Sequence, residues 1–210
     1  MSRGRFITLE GPEGSGKSTA ARHLAEWLRG RGVRIVLTAE PGGTPLGEEV
    51  RRLLLHVRNM SDDLDPRADA LLFAAGRAQH VARRIRPALE RGEWVVCARF
   101  FDSSLAYQGA GYGIAPAEMR QLQAFATYGL VPDLTILLDV PVEIGLSRKR
   151  KETWNRFEDT ESVAFFDRVR RAYLDLAAGE PDRYRVVDAS GSVEAADAAI
   201  QRLVEPLLSR

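Results

Sequence analysis

The run "GPEGSGKST", Gly11 to Thr19, sets glycines, a lysine and a hydroxyl at the spacing G-x-x-x-x-G-K-[ST]. These residue types at this spacing suit one task, the cradling of a nucleotide's phosphates. Glycines let the backbone wrap a phosphate with its N–H groups pointing inward, and a helix starting at Lys17 adds the positive potential of its N-terminus. Lys17 is placed to reach the β and γ phosphates, and the Ser18 hydroxyl to ligate Mg²⁺. The motif defines a nucleotide phosphate site, the P-loop, without defining a reaction.

A second basic group lies far along the chain. "LSRKRKETWNRFED", residues 146 to 159, concentrates Arg148, Lys149, Arg150, Lys151 and Arg156. Taken alone it reads as a solvated basic face; beside a phosphate site it reads as an arginine-bearing lid, about residues 147–159, that excludes water from a transferred phosphoryl group. Three protein classes own such a phosphate site: small-molecule kinases, GTPase switches and ATP-driven motors or binding modules. An N-K-x-D-like guanine reader is not found, which argues against a GTPase. A motor ATPase usually ends a strand in a metal-coordinating acid, and in "WVVCARFFDSSLAYQG" the strand ends in Ala98, although "LTILLDV" supplies Asp139.

The elements that must position these groups are legible as alternating patterns. "RFITLE", "VRIVLT", "EWVVCA", "LTILLDV" and "YRVVD" are short apolar runs, as expected of parallel strands buried on both faces. Residues 17–30, 45–57, 66–91, 115–127, 160–178 and 192–208 carry helical patterns between them. The alternation predicts an α/β fold: a P-loop NTPase-type parallel sheet flanked by helices, of the nucleoside monophosphate kinase kind with a lid. The 210 residues, 45% hydrophobic and 28% charged, suffice for one core, so residues 1–210 are expected to form a single domain.

Charge and cysteine usage narrow the partners. Thirty basic against 29 acidic residues leave a formal charge of +1, without the overall basic field of nucleic-acid binders. The single cysteine, Cys97, sits in an apolar run, reads as a small core residue and agrees with a reducing compartment. With neither a signal-like N-terminus nor a membrane-spanning run, a cytoplasmic location is expected. His23, His56 and His80 lack metal-ligand spacing and read as surface or packing residues.

"FITLEGPEGSGKST", "EPGGT", "LLFAAGRAQHV", "FFDSSLAYQG", "PDLTILLDV" and "NRFE" together resemble, in order and spacing, the bacterial thymidylate kinases, and the likeness runs from about residue 5 to the C-terminal helix. The resemblance implies transfer of the γ phosphate of ATP to dTMP with Mg²⁺, on a P-loop α/β fold that usually forms a homodimer. It implies ATP binding by Gly11, Pro12, Glu13, Gly14, Ser15, Gly16, Lys17, Ser18 and Thr19. Phe73 would stack on thymine, and Arg77, one helical turn later, would bond a base oxygen. Arg51 and Arg99 would grip the dTMP phosphate, a task suited to the guanidinium fork. Ser104 and Gln108 would contact the base, Tyr107 would wall the sugar against a 2′ hydroxyl, and Glu40 and Pro41 would shape the acceptor loop. Asp102 is expected either to cap the helix begun by "DSSLAYQG" or to touch ligand.

Lys17, Arg99, Arg150 and Arg156 are the candidate catalytic cations. The P-loop has Gly14 after Glu13 and so carries no arginine of its own; the lid must supply one. Two departures stand out. Family members generally place Asp before the arginine at the strand end and Arg before Glu-Pro-Gly-Gly, whereas this chain has Ala98 and Ala39. Two alanines at charged positions beside the phosphates favour replacement over drift, and a scaffold that binds both nucleotides but turns over poorly is expected. The alternatives are a kinase for another nucleoside monophosphate or an inactive nucleotide-binding protein.

Overall fold

A computed structural model describes residues 3–56, 64–149 and 162–208. The five apolar runs form five strands: β1 Phe6–Glu10, β2 Ile35–Ala39, β3 Trp94–Ala98, β4 Leu134–Asp139 and β5 Tyr184–Asp188. They pair in parallel in the order β2-β3-β1-β4-β5. β1 lies fully buried at the centre, and β3 and β4 are nearly so; β2 and β5, at the edges, are partly exposed, because an edge strand has a neighbour on one side only. Burial on both faces thus holds for three of the five.

Helix α1 spans Lys17–Arg29 and packs Ala20, Ala21, Leu24 and Leu28 against Ile7, Leu9 and Val96, with α8, Val193–Val204, beside it. Phe6, whose side chain alternates to the opposite face, joins Val95, Cys97 and Phe100 in a second cluster. Cys97 is therefore the core residue its pattern predicts. α2 covers Pro45–His56. α3, Pro66–His80, is capped by the Asp65 side chain, which accepts from the Arg67 and Ala68 amides.

The sequence pattern suggests one regular helix over 66–91, but the chain passes through a π-helical stretch, Val81–Ile85, before Arg86–Glu90. Pro87 offers no N–H and its ring crowds the carbonyl four residues back. The wider turn just before it, with Arg86 N–H donating to the Val81 carbonyl, accommodates both constraints.

α4, Phe101–Ser104, runs into a second π-helical segment, Leu105–Gly111, and this packs on α7, Val163–Gly179, through Ala106, Tyr107, Phe165 and Val169. α5 is Pro116–Thr127 and α6 is Val142–Lys149. The first four residues of the basic stretch, 146–149, thus belong to a helix that the polar pattern hides.

The chain leaves β1, places β2 at the far edge, inserts β3 beside β1, and then crosses to β4 on the other side. The carboxyl end of β1 is consequently where the sheet's winding direction switches, the place where open α/β sheets bind ligands. "GPEGSGKST" occupies that place.

Candidate active site

The P-loop links β1 to α1 and is seated by its own lysine. Lys17 is buried and donates to the Pro12 carbonyl at 2.6 Å and to Ser15 Oγ at 3.0 Å. Burial first, and then the neighbouring Arg99 charge, press its amine down to about 7, against the opposing pull of Glu13 and Glu10. Gly14 has φ +68°, and a β-carbon there would lie 2.0 Å from the Gly145 carbonyl oxygen of α6. A side chain at this point of the loop would require the P-loop or α6 to shift, and the positive φ favours glycine.

β3 ends in Ala98, which pairs in register with Ala39 at the end of β2, and both line the same cleft. The two alanines are cross-strand neighbours, a juxtaposition their separation of 59 positions conceals. The next residue, Arg99, adopts φ +68°, an uncommon and strained conformation for a non-glycine residue. Its amide donates to the Leu9 carbonyl at 2.9 Å, and its guanidinium reaches Glu13 Oε1 at 2.7 Å and Ser103 Oγ at 3.3 Å. The Tyr107 hydroxyl also donates to Glu13 Oε1, at 3.1 Å, and Arg99 lies 5.2 Å from the Tyr107 ring centre. Burial pushes the Glu13 carboxyl up, but Arg99, Lys17 and Lys149 outweigh it and hold the group below its ordinary range.

The far end of the cleft is built around Arg77. Its Nε donates to Glu40 Oε2 at 2.7 Å, Nη1 to Ser104 Oγ at 3.0 Å and to Gln123 Oε1, and Nη2 to the Phe100 carbonyl at 3.1 Å. These four contacts leave one of a guanidinium's five N–H groups for a ligand. Glu40 Oε1 meets His80 Nδ1 at 2.9 Å, and His80 Nε2 meets Thr38 Oγ1 at 2.7 Å. Burial pushes the Glu40 carboxyl up, yet Arg77 and His80 hold it below the usual carboxylate value. Gln108 Nε2 donates to Asp69 at 2.8 Å, and Arg51 donates to the Pro41 carbonyl at 3.0 Å. Phe73 is half-buried at the wall.

A single cleft of about 1000 Å³ contains the described P-loop from Glu13 to Thr19, together with Glu40, Pro41, Arg51, Phe73, Arg77, Arg99, Ser104, Tyr107 and Gln108. Sequence-predicted residues drawn from five separate segments therefore meet. Gly11 and Pro12 lie just beneath, buried. Arg150 and Arg156 lie outside the described residues. Of the basic stretch that is described, Arg148 is occupied by the carbonyls of Ala189 and Ser190 at 2.7 Å each and of Gly191 at 3.1 Å, and Lys149 lines the cleft.

Two expectations need correcting. Asp102 neither caps a helix nor lines the cleft: the residue at the start of α4 is Phe100, and Asp102 is fully buried in a two-pronged ion pair with Arg183 at 2.7 and 2.9 Å. Apolar surroundings leave that carboxylate no alternative to a cationic partner. His80 is no bland packing residue, because it holds Glu40 and Thr38. His23 is partly buried against Asp197 at 2.6 Å, and the His56 side chain lies outside the description. Sequence reasoning also gave no role to Ser103, which lines the cleft, or to Glu10, Tyr173 and Gln123, which do not line it and bond residues that do.

The donor set also bears on Mg²⁺. Among the described residues no group of three His, Cys, Asp or Glu side chains could hold a metal. Ser18 is exposed at the start of α1 and lines the cleft. One hydroxyl with phosphate oxygens and water is a set that suits Mg²⁺, which keeps most of its waters and binds through substrate phosphates.

A parallel sheet with a P-loop at its switch point, opening into a cleft with a polar and aromatic far end, defines a P-loop fold of the nucleoside monophosphate kinase class. The family model for thymidylate kinase matches residues 9–200. The thymidylate kinase of Pseudomonas fluorescens (strain SBW25) is 50% identical over 208 residues, 99% of this chain and 98% of that protein. That of Bifidobacterium longum (strain DJO10A) is 50% identical over 205 residues, 97% and 98%. The crystal structure of thymidylate kinase from Ehrlichia chaffeensis superimposes with a TM-score of 0.76 at 35% identity, covering 96% of this chain and 99% of that one. The chain belongs to the thymidylate kinase family.

Proposed function

We propose that this chain transfers the γ-phosphoryl group of ATP to dTMP, giving dTDP for dTTP synthesis. The observation that carries this reading is the continuity of the cleft, with the phosphate cradle at one end, Phe73, Arg77, Ser104 and Gln108 at the other and Arg99 between them. In this reading the P-loop amides and Lys17 hold the β and γ phosphates, and Ser18 with those phosphates holds Mg²⁺. The ion's contribution when bound is to neutralise phosphate charge. Phe73 stacks on thymine, and Arg77, Ser104 and Gln108 meet its polar edge. Tyr107, buried and fixed by Glu13, stands against the sugar.

The acceptor is a phosphate oxygen of a monoester whose second pKa is about 6, mostly dianionic at neutral pH, so a general base is unnecessary. What remains for the protein is positioning and charge stabilisation. Arg99 and Arg51 hold the acceptor phosphate, while Arg150 and Arg156 of the lid, about residues 147–159, supply positive charge to the transferred group. The chain acts as a single domain in the cytoplasm and pairs as a homodimer. Support for pairing is the exposure of Leu71, Phe125 and Tyr128, 57%, 84% and 63% exposed, on or beside α3 and α5.

Ala98 favours a second, weaker reading, a scaffold that binds nucleotides with little turnover, since loss of one preorganised charged group costs about 10²–10³ in rate. Steady-state ADP release with ATP, Mg²⁺ and dTMP tests both readings against an Ala39→Arg/Ala98→Asp variant. We expect dTMP to be preferred over dCMP, dGMP and UMP, and the variant to be faster by about 100-fold. Equal rates in the two proteins would remove the impairment; no dTMP phosphorylation by either would remove the substrate assignment.

A further inference from the structure

Glu10 closes the central strand with a fully buried carboxylate that touches neither the P-loop's phosphate-facing groups nor the cleft. Its Oε1 accepts the Phe100 backbone N–H at 2.6 Å. Its Oε2 accepts the Ser103 hydroxyl at 2.6 Å and the Tyr173 hydroxyl at 3.0 Å. The residue before Phe100 is Arg99, whose own amide bonds Leu9, the residue before Glu10. Two successive amides of the strained turn are thereby pinned to two successive residues of β1. The same Ser103 oxygen that donates to Glu10 accepts from Arg99 Nη1. The strained φ of Arg99 persists only where its surroundings over-determine it: Leu9 holds its amide, and Glu10 holds the next amide and the Ser103 hydroxyl that meets its guanidinium.

We propose that Glu10 is a positioning residue for phosphoryl transfer, holding the Arg99 turn against the P-loop through Phe100 N–H and Ser103. The proposal rests on the phosphoryl-transfer reading above only for its kinetic consequence. A carboxylate serves because it offers two acceptor oxygens to three donors; an amide of the same shape would turn an NH₂ toward one of them.

The site also makes the clamp sensitive to pH. Burial first, and then the negative charge of Asp102, raise the Glu10 carboxyl to about 7, against the Ser103 bond, the Arg99 charge and the Phe100 bond. The other groups facing it are Lys17 on α1, Cys97 on β3, Tyr173 on α7 and Tyr184 on β5, with Arg183 neutralising Asp102. Protonation converts one acceptor into a donor, so the clamp loosens as pH falls below about 7.

Glu10→Gln and Tyr173→Phe test the proposal in the full-length protein. For Glu10→Gln the expected kcat/KM for dTMP is about 10- to 100-fold below the parent, the KM for ATP stays within about two-fold, and the acid limb near pH 7 disappears from the pH profile. Tyr173→Phe, which removes one of three donors, is expected to cost about two- to five-fold and keep the limb. Unchanged acceptor kinetics in Glu10→Gln, equal losses toward both nucleotides, or persistence of the limb near pH 7, as distinct from the one at about 6 that the dTMP phosphate itself contributes, overturns the proposal. The Arg99 Nε–H resonance reads the clamp without turnover. If the parent does not phosphorylate dTMP, the function assigned above fails, while a displaced Arg99 resonance in Glu10→Gln still supports the clamp and an unmoved one refutes it. Should Glu10→Gln not fold, an unshifted Arg99 resonance in Tyr173→Phe refutes the clamp and a shifted one supports it.

Discussion

Replacing Glu40 with alanine tests the arrangement around Arg77 in the cleft. The Arg77 and Glu40 side chains are 1% and 4% exposed, and their contact is 2.7 Å. Removing the carboxylate leaves the guanidinium desolvated and uncompensated, a loss of about 3–5 kcal/mol. The value should fall toward the upper end, because His80 Nδ1 loses its acceptor in the same step. With an m-value of about 2 kcal/mol per molar urea, the midpoint of unfolding should drop by about 1.5–2.5 M. Arg77→Leu supplies the control. If the pair is coupled, Glu40→Ala/Arg77→Leu is more stable than the two single losses predict, by at least about 1 kcal/mol. The pH dependence has a fixed sign. Because the folded carboxyl titrates below its ordinary value, its stabilisation is fully present above that ordinary value and lost as pH falls through the depressed one. Glu40→Ala should lack that acid-side component. A single-variant cost under about 1 kcal/mol, or strict additivity, refutes the reasoning that this pair is the buried charge centre of the pocket.

Lys17 offers a proton-linkage prediction: with its amine pressed to about 7, most of it is neutral at pH 8 in the nucleotide-free protein, and phosphates restore its charge. ATP binding at pH 8 should therefore take up a proton, seen as dependence of the calorimetric enthalpy on buffer ionisation heat and abolished in Lys17→Met; absence of uptake refutes it. Gly14→Ala places a β-carbon 2.0 Å from the Gly145 carbonyl oxygen at φ +68°. Stability should fall by about 1–3 kcal/mol and ATP affinity by about ten-fold or more, and a variant with unchanged denaturation midpoint and unchanged titration would contradict the packing of α6 on the P-loop.

What the sequence determined by itself is local. A P-loop is read from spacing because one short segment supplies all of its phosphate-facing amides, the lysine and the hydroxyl. The strands were legible because burial writes apolar runs into β1, β3 and β4, and β-branched residues mark the more exposed edge strands β2 and β5, each segment independently of the others. The π-helical stretch before Pro87 was also locally encoded, but as a departure from regularity that helical periodicity averages out.

Tertiary structure decided which strands became edges and which polar groups met. Glu10 and Tyr173 are separated by 163 positions, Asp102 and Arg183 by 81, and Glu40 and Arg77 by 37. An isolated aspartate or arginine reads as solvated, and only the removal of water around it makes a particular partner obligatory. Asp102 showed the consequence, since its chain neighbours suggested a cap while the fold gave it Arg183. The pairing of Ala39 with Ala98 has the same origin: register in a parallel sheet is set by whole strands packing against helices, and it brings side by side two residues that nothing in their own neighbourhoods connects.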